Sequence, residues 1–294
     1  MRTLPILELC AGYGGIGMAV EALTGDRVTH VAEVDPSASK VLAIRYPDAP
    51  NIGDITAYDW SKLVGLVDTI TAGWPCQGIS EAGHRRGLDD ERSGIWHNVA
   101  EAIGVLRPRV IFLENVRSVL RRGGPRVVAD LARLGYRLRW TTLRASNVGA
   151  PHHRDRWFLV ALRADAAGYG WSQRRSEPAR FERRSDDPVA HSPAAWWVSE
   201  DGTDYGPGIR RWERILGRPA PYPTSPRKRG TEWRASPRYS EWLMGLPDGW
   251  VTDVPGLTES QQLERLGGGV VPQQAYAAFK WLTAHESFTE ERHG

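Results

Sequence analysis

Short apolar runs alternate with segments of helical pattern over the first 163 residues, and this alternation restricts the possible folds more than any other feature of the chain. Turn residues bound the apolar runs, and helical patterns such as SASKVLAIRYP and IWHNVAEAIGVLRP lie between several of them. The runs that predict strands are LPILELC, VTHVAEV, VDTITAG, RVIFLENV, YRLRWTTL and RWFLVAL. Such alternation is typical of an α/β fold with a mostly parallel sheet and helices on both faces.

The texture of the sequence changes after Arg163. Short pieces rich in Arg, Ser, Pro and Gly follow, with five tryptophans at positions 171, 196, 197, 212 and 233. From about Arg265, a glycine cluster leads into VVPQQAYAAFKWLTAH, which has the pattern of an amphipathic helix. We therefore predict a larger α/β domain formed by residues 1–163 and 265–294, and a smaller irregular domain formed by residues 164–264.

Composition excludes several classes of protein. The mean hydropathy of −0.43, with 20 prolines and 31 glycines, argues against a coiled coil, and no apolar run approaches the roughly 18 residues that span a membrane. The first residues lack the pattern of a secretory signal, so we expect a cytoplasmic protein. The 2 cysteines, Cys10 and Cys76, are too few for a disulfide framework or a four-ligand zinc site. At least one free thiol is therefore a functional candidate, and no metal site is predicted.

Charge is unevenly distributed along the chain. Residues 163–238 hold 15 Arg or Lys against 10 Asp or Glu, a local +5, whereas the rest of the chain carries −2. Nearly all the basic residues are arginine, whose planar fork binds phosphates and guanine edges bidentately. This pattern makes 163–238 the basic segment and indicates a polyanionic partner, although a merely solvated surface is the alternative.

The first predicted strand runs into a G-x-G-x-x-G turn made by Gly12, Gly14 and Gly17, which opens the next helix. The second predicted strand ends at Glu33, 21 residues after Gly12. Glycines at this position allow a tight turn and close approach to a nucleotide, and an acidic side chain can accept hydrogen bonds from both ribose hydroxyls. A nucleotide-type cofactor is predicted, with NAD and S-adenosylmethionine both left open.

Two further strand ends carry reactive side chains. Cys76 follows the strand VDTIT in an exposed loop, where a cysteine can act as a nucleophile, whereas Cys10 lies among apolar positions and is expected to be unreactive. Glu114 ends an apolar strand, so we expect a partly desolvated carboxyl with a raised pKa. Residues 78–94, with 4 glycines and mixed charge, are typical of a mobile lid or a plain surface loop.

These motifs together resemble the DNA cytosine-5 methyltransferases. The order and spacing of ELCAGYGGIG, AEVD, GDI, GWPCQ, LENV, HHRDRWFLVA and LGGGVVP are those of this family, and ASPRYSEWLMGLPDGW is similar to its penultimate conserved block. The resemblance covers most of the chain outside residues 164–235. It implies a Rossmann-like S-adenosylmethionine-dependent methyltransferase fold, in which residues 164–264 form the target-recognition domain. It also implies that the enzyme is a monomer and that its partner is double-stranded DNA.

The resemblance also assigns catalytic roles. It implies that Cys76 adds to C6 of a flipped-out cytosine and that Glu114 engages N3 and the exocyclic amine of the base. Cytosine C5 is too weak a nucleophile to take a methyl group unaided, and thiolate addition with protonation at N3 activates it. Arg154 and Arg156 correspond to arginines that hold the base O2 and a nearby phosphate. We expect the two side chains to make these contacts from the same face of one strand. His152 stands where the family usually has glutamine.

For the cofactor, the resemblance implies contacts from the glycine turn, from Glu33 to the ribose, and from Asp54 with Ile55 to adenine. It also implies that Trp74 lines the cofactor, although a buried tryptophan that only packs in the core is the alternative. Gly268 stands where the family usually has asparagine, beside the methionine end of the cofactor. We expect a space there, and with it weaker S-adenosylmethionine binding or admission of a bulkier donor such as a carboxylated analogue. The full set is Cys10, Gly12, Gly14, Gly15, Glu33, Val34, Asp54, Ile55, Trp74, Pro75, Ile95, Gly268 and Val270.

Three other functions remain open at this point. A dinucleotide-dependent oxidoreductase fits the first fifty residues but leaves Cys76 and Glu114 without a role. An RNA cytosine-5 methyltransferase keeps the mechanism, and the irregular insert favours DNA instead. A non-catalytic DNA-binding homologue is disfavoured because Cys76, Glu114 and Arg156 are all present. No code relates the insert to a recognition sequence, nor does the sequence distinguish restriction protection from regulation or phage genome modification.

Overall fold

The computed structural model describes residues 3–75, 94–165, 192–199, 201–226 and 233–284, and the first two of these ranges build a six-stranded sheet. Each of the six predicted strands is confirmed. In chain order they are Pro5–Leu9 (β1), Arg27–Ala32 (β2), Thr69–Gly73 (β3), Val110–Val116 (β4), Tyr136–Arg144 (β5) and Asp155–Arg163 (β6). Their spatial order is β2-β1-β3-β4-β6-β5.

Strand direction gathers the sheet's functional ends on one side. Strands β1, β2, β3 and β4 are parallel, whereas β6 runs antiparallel to both of its neighbours, β4 and β5. The carboxyl ends of β1 to β5 and the amino end of β6 therefore meet at one edge, which we call the upper edge. In open α/β sheets, ligands bind outside this edge.

Helices form where the sequence predicts them after β1, β2 and β3 and near the end of the chain. Asp35 begins the second helix by accepting hydrogen bonds from the backbone N–H groups of Ser37 and Ala38, with Pro36 in the first turn. The helices are Gly15–Thr24 (α1), Pro36–Arg45 (α2), Ile95–Leu106 (α3), Val119–Arg122 (α4), Gly124–Arg133 (α5), Gly206–Leu216 (α6), Pro237–Leu243 (α7), Glu259–Gly268 (α8) and Pro272–Thr283 (α9).

Two hydrophobic clusters fix helices to the two faces of the sheet. One joins the sheet to α3 and α5, through residues such as Ile103 and Leu131. The other joins it to α1 and α9, where the Phe279 ring packs edge-on against Phe112 and Phe158, at centroid distances of 4.7 and 5.5 Å. The mixed sheet covered on both faces confirms the predicted α/β class.

A third hydrophobic cluster connects the later part of the chain to the sheet domain. It contains Trp212 of α6 and Trp242 of α7 together with Tyr13 and Met18 from the start of the chain. A short antiparallel hairpin of Thr224–Pro226 (β7) and Trp233–Ala235 (β8) lies between α6 and α7. Helix α8 spans the predicted boundary between residues 264 and 265, and the division into domains stays a prediction.

Some predicted features lie outside the described residues. These are Cys76 and residues 78–93 of the predicted loop, together with much of the arginine-rich segment after residue 165. Within the parts of the chain that the structure describes, no helix combines the length and the apolar character needed to cross a membrane.

Candidate active site

The glycine turn joins β1 to α1 at the upper edge. Gly12 and Gly14 have φ angles of +57° and +83°, in the left-handed region that favours glycine, and Gly14 caps the amino end of α1. Gly17 has a different role, because it lies inside α1 over the buried carboxyl of Glu8, where any side chain would overlap that carboxyl. Two of the three glycines therefore shape the turn, and the third makes room for Glu8.

The carboxylate of Glu33 connects the end of β2 to this turn. Its Oε2 accepts a hydrogen bond from the backbone N–H of Gly12 at 2.8 Å, and its Oε1 accepts one from the N–H of Asp35 at 2.8 Å. Val34, the next residue, is 66% exposed. The fold thus places a carboxylate and an accessible apolar side chain beside the glycine turn.

Asp54 and Ile55 differ in their accessibility. The exposed Asp54 carboxylate accepts a hydrogen bond from the backbone N–H of Thr56 at 2.8 Å, and its hydrogen bonds to Thr56 lower the pKa of Asp54. Ile55 is buried in the cluster between the sheet and α3. Of this pair, Asp54 is the one that offers its side chain to a ligand in solution.

Trp74 follows the carboxyl end of β3 and is packed among other tryptophans. It is buried, and its ring centroid lies 5.0 Å from that of Trp96 and 6.4 Å from that of Trp157. Ile95 is half-buried against the same cluster, whereas Pro75 is exposed. The packing favours the core interpretation of Trp74, and its contact with a cofactor stays a prediction.

Glu114 lies near the carboxyl end of β4 and forms an ion pair with Arg156 of β6. The two strands are adjacent and antiparallel, and the Glu114 Oε1 atom lies 2.9 Å from Arg156 Nε. The side chains are 12% and 16% exposed, respectively. Burial raises the pKa of Glu114, and the positive charges of Arg156 and Arg154 oppose this increase. The expected raised pKa is thus present and partly balanced.

Asn115 has a structural role that the sequence did not indicate. Its Nδ2 donates a hydrogen bond to the Trp74 carbonyl at 3.2 Å, which ties β4 to the segment leaving β3. Trp74 precedes Cys76 by two residues in the sequence. The LENV motif therefore supplies both the carboxyl of Glu114 and an anchor for the chain that leads to the predicted nucleophile.

Arg154 and Arg156 do not act from one strand face, and this part of the prediction is wrong. Arg154 precedes β6 with a φ of +30°, and its guanidinium donates hydrogen bonds to the carbonyls of Gly267, at 3.0 Å, and Gly269. Only Arg156 pairs with Glu114. The left-handed backbone at Arg154 turns its side chain toward the end of α8 and the loop that follows, so that it supports this connection.

His152 anchors α7 from the position where the family usually has glutamine. Its Nε2 donates a hydrogen bond to the Leu243 carbonyl at 2.9 Å. Burial lowers the pKa of His152, so the neutral imidazole is favoured. The substitution thus supplies a contact between the start of β6 and the later part of the chain.

Tyr13, inside the glycine motif, holds the turn against the loop between α8 and α9. Its hydroxyl donates a hydrogen bond to the buried Val270 carbonyl at 2.6 Å. A side chain at position 269 would overlap the Tyr13 ring, so Gly269 is required by this close approach. The aromatic residue within CAGYGG was the available sequence signal for this contact, but its partner was not predictable.

Trp250 and Tyr46 hold the same turn from the other side. The Trp250 indole N–H donates to the Tyr13 carbonyl at 2.8 Å, and the Tyr46 hydroxyl donates to the Gly14 carbonyl at 3.0 Å. The two rings pack edge-on at 6.1 Å, and the Arg45 guanidinium lies 5.2 Å from the Trp250 ring centroid. The block ASPRYSEWLMGLPDGW therefore contributes Trp250 to the support of the glycine turn, a role that the sequence did not assign.

Gly268 is the exposed last residue of α8, directly before the loop that leads to α9. A Cβ atom added there would meet no described atom within 4 Å, and Gly268 is not among the glycines with a positive φ. Neither crowding nor backbone strain among the described residues thus demands glycine, and a side chain here would meet open space. That this space lies beside the cofactor stays a prediction.

Cys10 is half-buried at the end of β1, with a φ of +52°. Burial, with a smaller effect from the charge of Glu33, raises the pKa of the Cys10 thiol to about 12. The protonated thiol agrees with the expectation that Cys10 is unreactive.

Comparison with known sequences gives the family. A family model described as C-5 cytosine-specific DNA methylase matches residues 4–192, more than half of the chain. The Type II methyltransferase M.CviJI of Paramecium bursaria Chlorella virus IL3A is 36% identical over 162 residues, which are 54% of this chain and 43% of that protein. Type II methyltransferase M2.BsuMI of Bacillus subtilis (strain 168) is 28% identical over an alignment of 311 positions, which covers 86% of this chain and 78% of that protein. The chain spans less than half the length of M.CviJI and several further curated relatives that it matches.

Solved structures agree on the fold. The Entamoeba histolytica methyltransferase EhMeth has a TM-score of 0.67 at 16% identity and covers 96% of this chain and 98% of its own. The S. pombe Dnmt2 methyltransferase has a TM-score of 0.63 at 18% identity and covers 97% and 100%. The likeness confirms the predicted Rossmann-like methyltransferase fold. With the family model matching over most of the sheet domain, the chain belongs to the C-5 cytosine-specific DNA methylase family.

Proposed function

We propose that this protein transfers a methyl group from S-adenosylmethionine to C5 of a flipped-out cytosine in double-stranded DNA, through a covalent adduct between Cys76 and C6. The observation that carries the proposal is the Glu114–Arg156 ion pair at the upper edge, buried and directly beside the chain that leads to Cys76. Residues 164–264 are proposed to recognise the DNA target, and the protein to act as a cytoplasmic monomer.

The residues around the glycine turn fit S-adenosylmethionine. Glu33 offers a carboxylate against the turn, as a ribose requires, and Val34 leaves an apolar side chain free to cover a flat adenine ring. Asp54, also exposed, is proposed to reach the adenine edge. When bound, S-adenosylmethionine supplies the electrophilic methyl group that C5 takes.

The chain's own residues activate the base. The Cys76 thiolate forms a bond to C6, and the displaced electron pair makes C5 nucleophilic while Glu114 gives a proton to N3. Arg156 holds the Glu114 carboxyl in position through the 2.9 Å contact. After methylation, water takes the proton from C5, the electron pair of that C–H bond restores the C5–C6 double bond, and the C6–sulfur bond breaks to release the Cys76 thiolate. N3 returns its proton to Glu114.

The buried Glu114–Arg156 pair argues against the non-catalytic alternative, because a protein that only binds DNA has no need of a desolvated carboxyl with a raised pKa. The family description, which specifies DNA, favours DNA over RNA. To test the oxidoreductase alternative, thermal shift is followed while NAD and S-adenosylmethionine are titrated separately. A ligand at 100 times its dissociation constant stabilises by about 2.7 kcal/mol, and we expect this from S-adenosylmethionine alone.

Replacing Cys76 by serine tests the covalent mechanism. A hydroxyl is a much poorer nucleophile than a thiolate at neutral pH, so Cys76→Ser is expected to abolish transfer of radiolabelled methyl groups. DNA binding of the variant, measured in parallel, should persist. A serine variant with the wild-type rate would exclude the mechanism.

DNA containing 5-fluorocytosine gives an independent test. Fluorine cannot leave C5 as a proton does, so the adduct should persist and be visible as a covalent protein–DNA complex. Cys76→Ser is the matched control and should form none. Absence of a stable complex with the wild-type protein would contradict the adduct.

Gly268 favours a second candidate, in which the donor carries a larger group such as a carboxylated methyl. The open space at this position is the observation that supports it. The expected asparagine would fill that space and add hydrogen-bonding groups. We therefore expect Gly268→Asn to lose activity selectively with the larger donor.

The donor experiment compares S-adenosylmethionine with its carboxylated analogue in wild type and in Gly268→Asn. Because no backbone strain opposes a side chain here, the variant should fold normally. Equal ratios of kcat/KM for the two donors in both proteins would show that position 268 does not determine donor choice.

A further inference from the structure

Arginines are concentrated in the sheet domain more than in the segment that the sequence analysis singled out. Residues 107–162 hold 12 arginines against 3 acidic residues, a net +9, compared with +5 for residues 163–238. The expectation that 163–238 is the basic segment is therefore wrong. The net charge of −2 for the rest of the chain is a sum in which acidic stretches cancel the basic stretch at residues 107–162. This stretch includes β4, α4, α5, β5 and most of β6.

The fold divides these arginines between the upper edge of the sheet and the opposite edge. Arg117 follows the carboxyl end of β4 and Arg144 ends β5, so both lie at the upper edge. Arg133 ends α5 and Arg137 lies at the start of β5, so both lie at the opposite edge. Only the first pair is on the side of Glu114.

Arg117 and Arg144 share one carboxylate. Asp155 Oδ2 lies 2.8 Å from Arg117 Nη1 and 3.6 Å from Arg144 Nε. The arginine side chains are 57% and 53% exposed. Two guanidinium groups that share one carboxylate leave a net positive charge at the surface. The shared residue, Asp155, directly precedes Arg156 in the sequence.

An exposed tryptophan extends this surface. Side chains alternate along β5, so Trp140 and Arg144 are on the same face of the strand as Tyr136 and Leu138. Tyr136 and Leu138 pack into the cluster that contains α5. Trp140 is 48% exposed. Aromatic side chains among arginines are typical of surfaces that bind nucleic acid.

We propose that Arg117, Arg144 and Trp140 form a second DNA-binding surface, which contacts the sugar–phosphate backbone beside the target cytosine. The inference rests on the proposed function and locates phosphate contacts outside the predicted target-recognition domain. Exposed guanidinium groups bind phosphate oxygens bidentately, and the partial pairing with Asp155 keeps the two side chains close together. Trp140 offers an apolar face to deoxyribose.

The test compares two double variants that remove the same charge from opposite edges. Arg117→Gln with Arg144→Gln removes the proposed contacts, and Arg133→Gln with Arg137→Gln is the control. Affinity for a DNA duplex is measured by fluorescence anisotropy over a range of salt concentrations. Each lost phosphate contact lowers the log–log salt slope by about 0.9, so the first variant should lose about 1.8 and the control should match wild type.

Trp140→Leu completes the design. Because it removes no charge, it should weaken duplex binding at every salt concentration and leave the slope unchanged. Equal slopes in the two double variants, whether both reduced or both wild-type, would overturn the proposed surface. Since binding is measured without methyl transfer, a wild-type protein that fails to methylate DNA would contradict the proposed function separately.

Discussion

Two glutamates lie in central strands of the sheet, Glu8 in β1 and Glu114 in β4, and their surroundings differ. Glu114 pairs with Arg156, whereas Glu8 Oε1 accepts a hydrogen bond from the Gly17 backbone N–H at 3.0 Å. Among the residues that the structure describes, the buried Glu8 Oε2 has no hydrogen-bond partner. Burial is the largest cause of the raised pKa of Glu8, which reaches about 8.

The difference shows how one residue type can occupy two different environments within the same sheet. Beside Arg156, burial raises the pKa of Glu114, the arginine charge opposes this increase, and the ion pair fixes the position of the carboxyl that we propose as the proton donor. Under the glycine turn, where no arginine of the described residues pairs with it, Glu8 has a pKa raised to about 8 and fills space beneath Gly17. The comparison predicts that substitutions at the two glutamates affect different properties.

The largest expected effect comes from Glu114→Gln. The amide keeps the shape of the side chain and cannot supply the proton to N3, so we expect kcat to fall by about 10²–10⁴-fold. Transfer of radiolabelled methyl groups measures the rate. Glu8→Gln is the matched control and should keep a rate within a few-fold of wild type, and equal losses in the two variants would remove the distinction between them.

Removing Arg156 should mainly lower stability. Arg156→Ala leaves the Glu114 carboxyl buried without its ion-pair partner, which costs about 3–5 kcal/mol in such pairs. Urea denaturation at pH 6 and pH 8 measures the free energy of unfolding. The loss should be larger at pH 8, because the carboxyl pKa rises further in the folded variant while the unfolded chain ionises normally. A pH-independent loss below about 1 kcal/mol would contradict the proposed electrostatic balance.

Glu8→Gln should change how stability depends on pH. Between the ordinary pKa of 4.5 and about 8, folded Glu8 holds a proton that the unfolded chain releases, so wild-type stability falls as pH rises through this window. The neutral amide removes this effect, on the order of a few kcal/mol. Denaturation at pH 5, 6.5 and 8 should show the variant gaining on wild type at each step, whereas parallel curves would argue against a protonated Glu8.

The smallest effect is expected at Trp250. Trp250→Phe keeps an aromatic ring beside Tyr46 but loses the hydrogen bond to the Tyr13 carbonyl, which contributes about 1 kcal/mol. We expect KM for S-adenosylmethionine to rise about fivefold with little change in kcat. Calorimetric titration gives the dissociation constant, and Trp281→Phe on the exposed end of α9 is the control. Equal affinity in both variants would show that the hydrogen bond does not position the turn.

Local sequence patterns predicted the sheet and its main helices because they record which side chains must be buried. As predicted, each of the six apolar runs forms a strand in the structure and the glycine motif lies at the end of β1, where Glu33 is hydrogen-bonded to it. The raised pKa of Glu114 was also predictable, since an apolar strand implies desolvation. Contacts between distant segments were not predictable. Examples are Tyr13 with Val270, Trp250 with Tyr13, and Arg154 with Gly267 in the last turn of α8.

The sequence by itself indicated that Glu114 would be partly desolvated, because it ends a strand of apolar residues, and Glu8 lies in a similar apolar strand. Only the tertiary structure decided which of them receives an arginine. Strand order places β6 beside β4, and this brings Arg156 to Glu114 across about forty residues of intervening chain. Glu8 instead lies opposite Val31 of β2 and Thr71 of β3, which carry no charge. The pairing of strands, which no local pattern encodes, therefore decides which of the two carboxyls has an arginine partner.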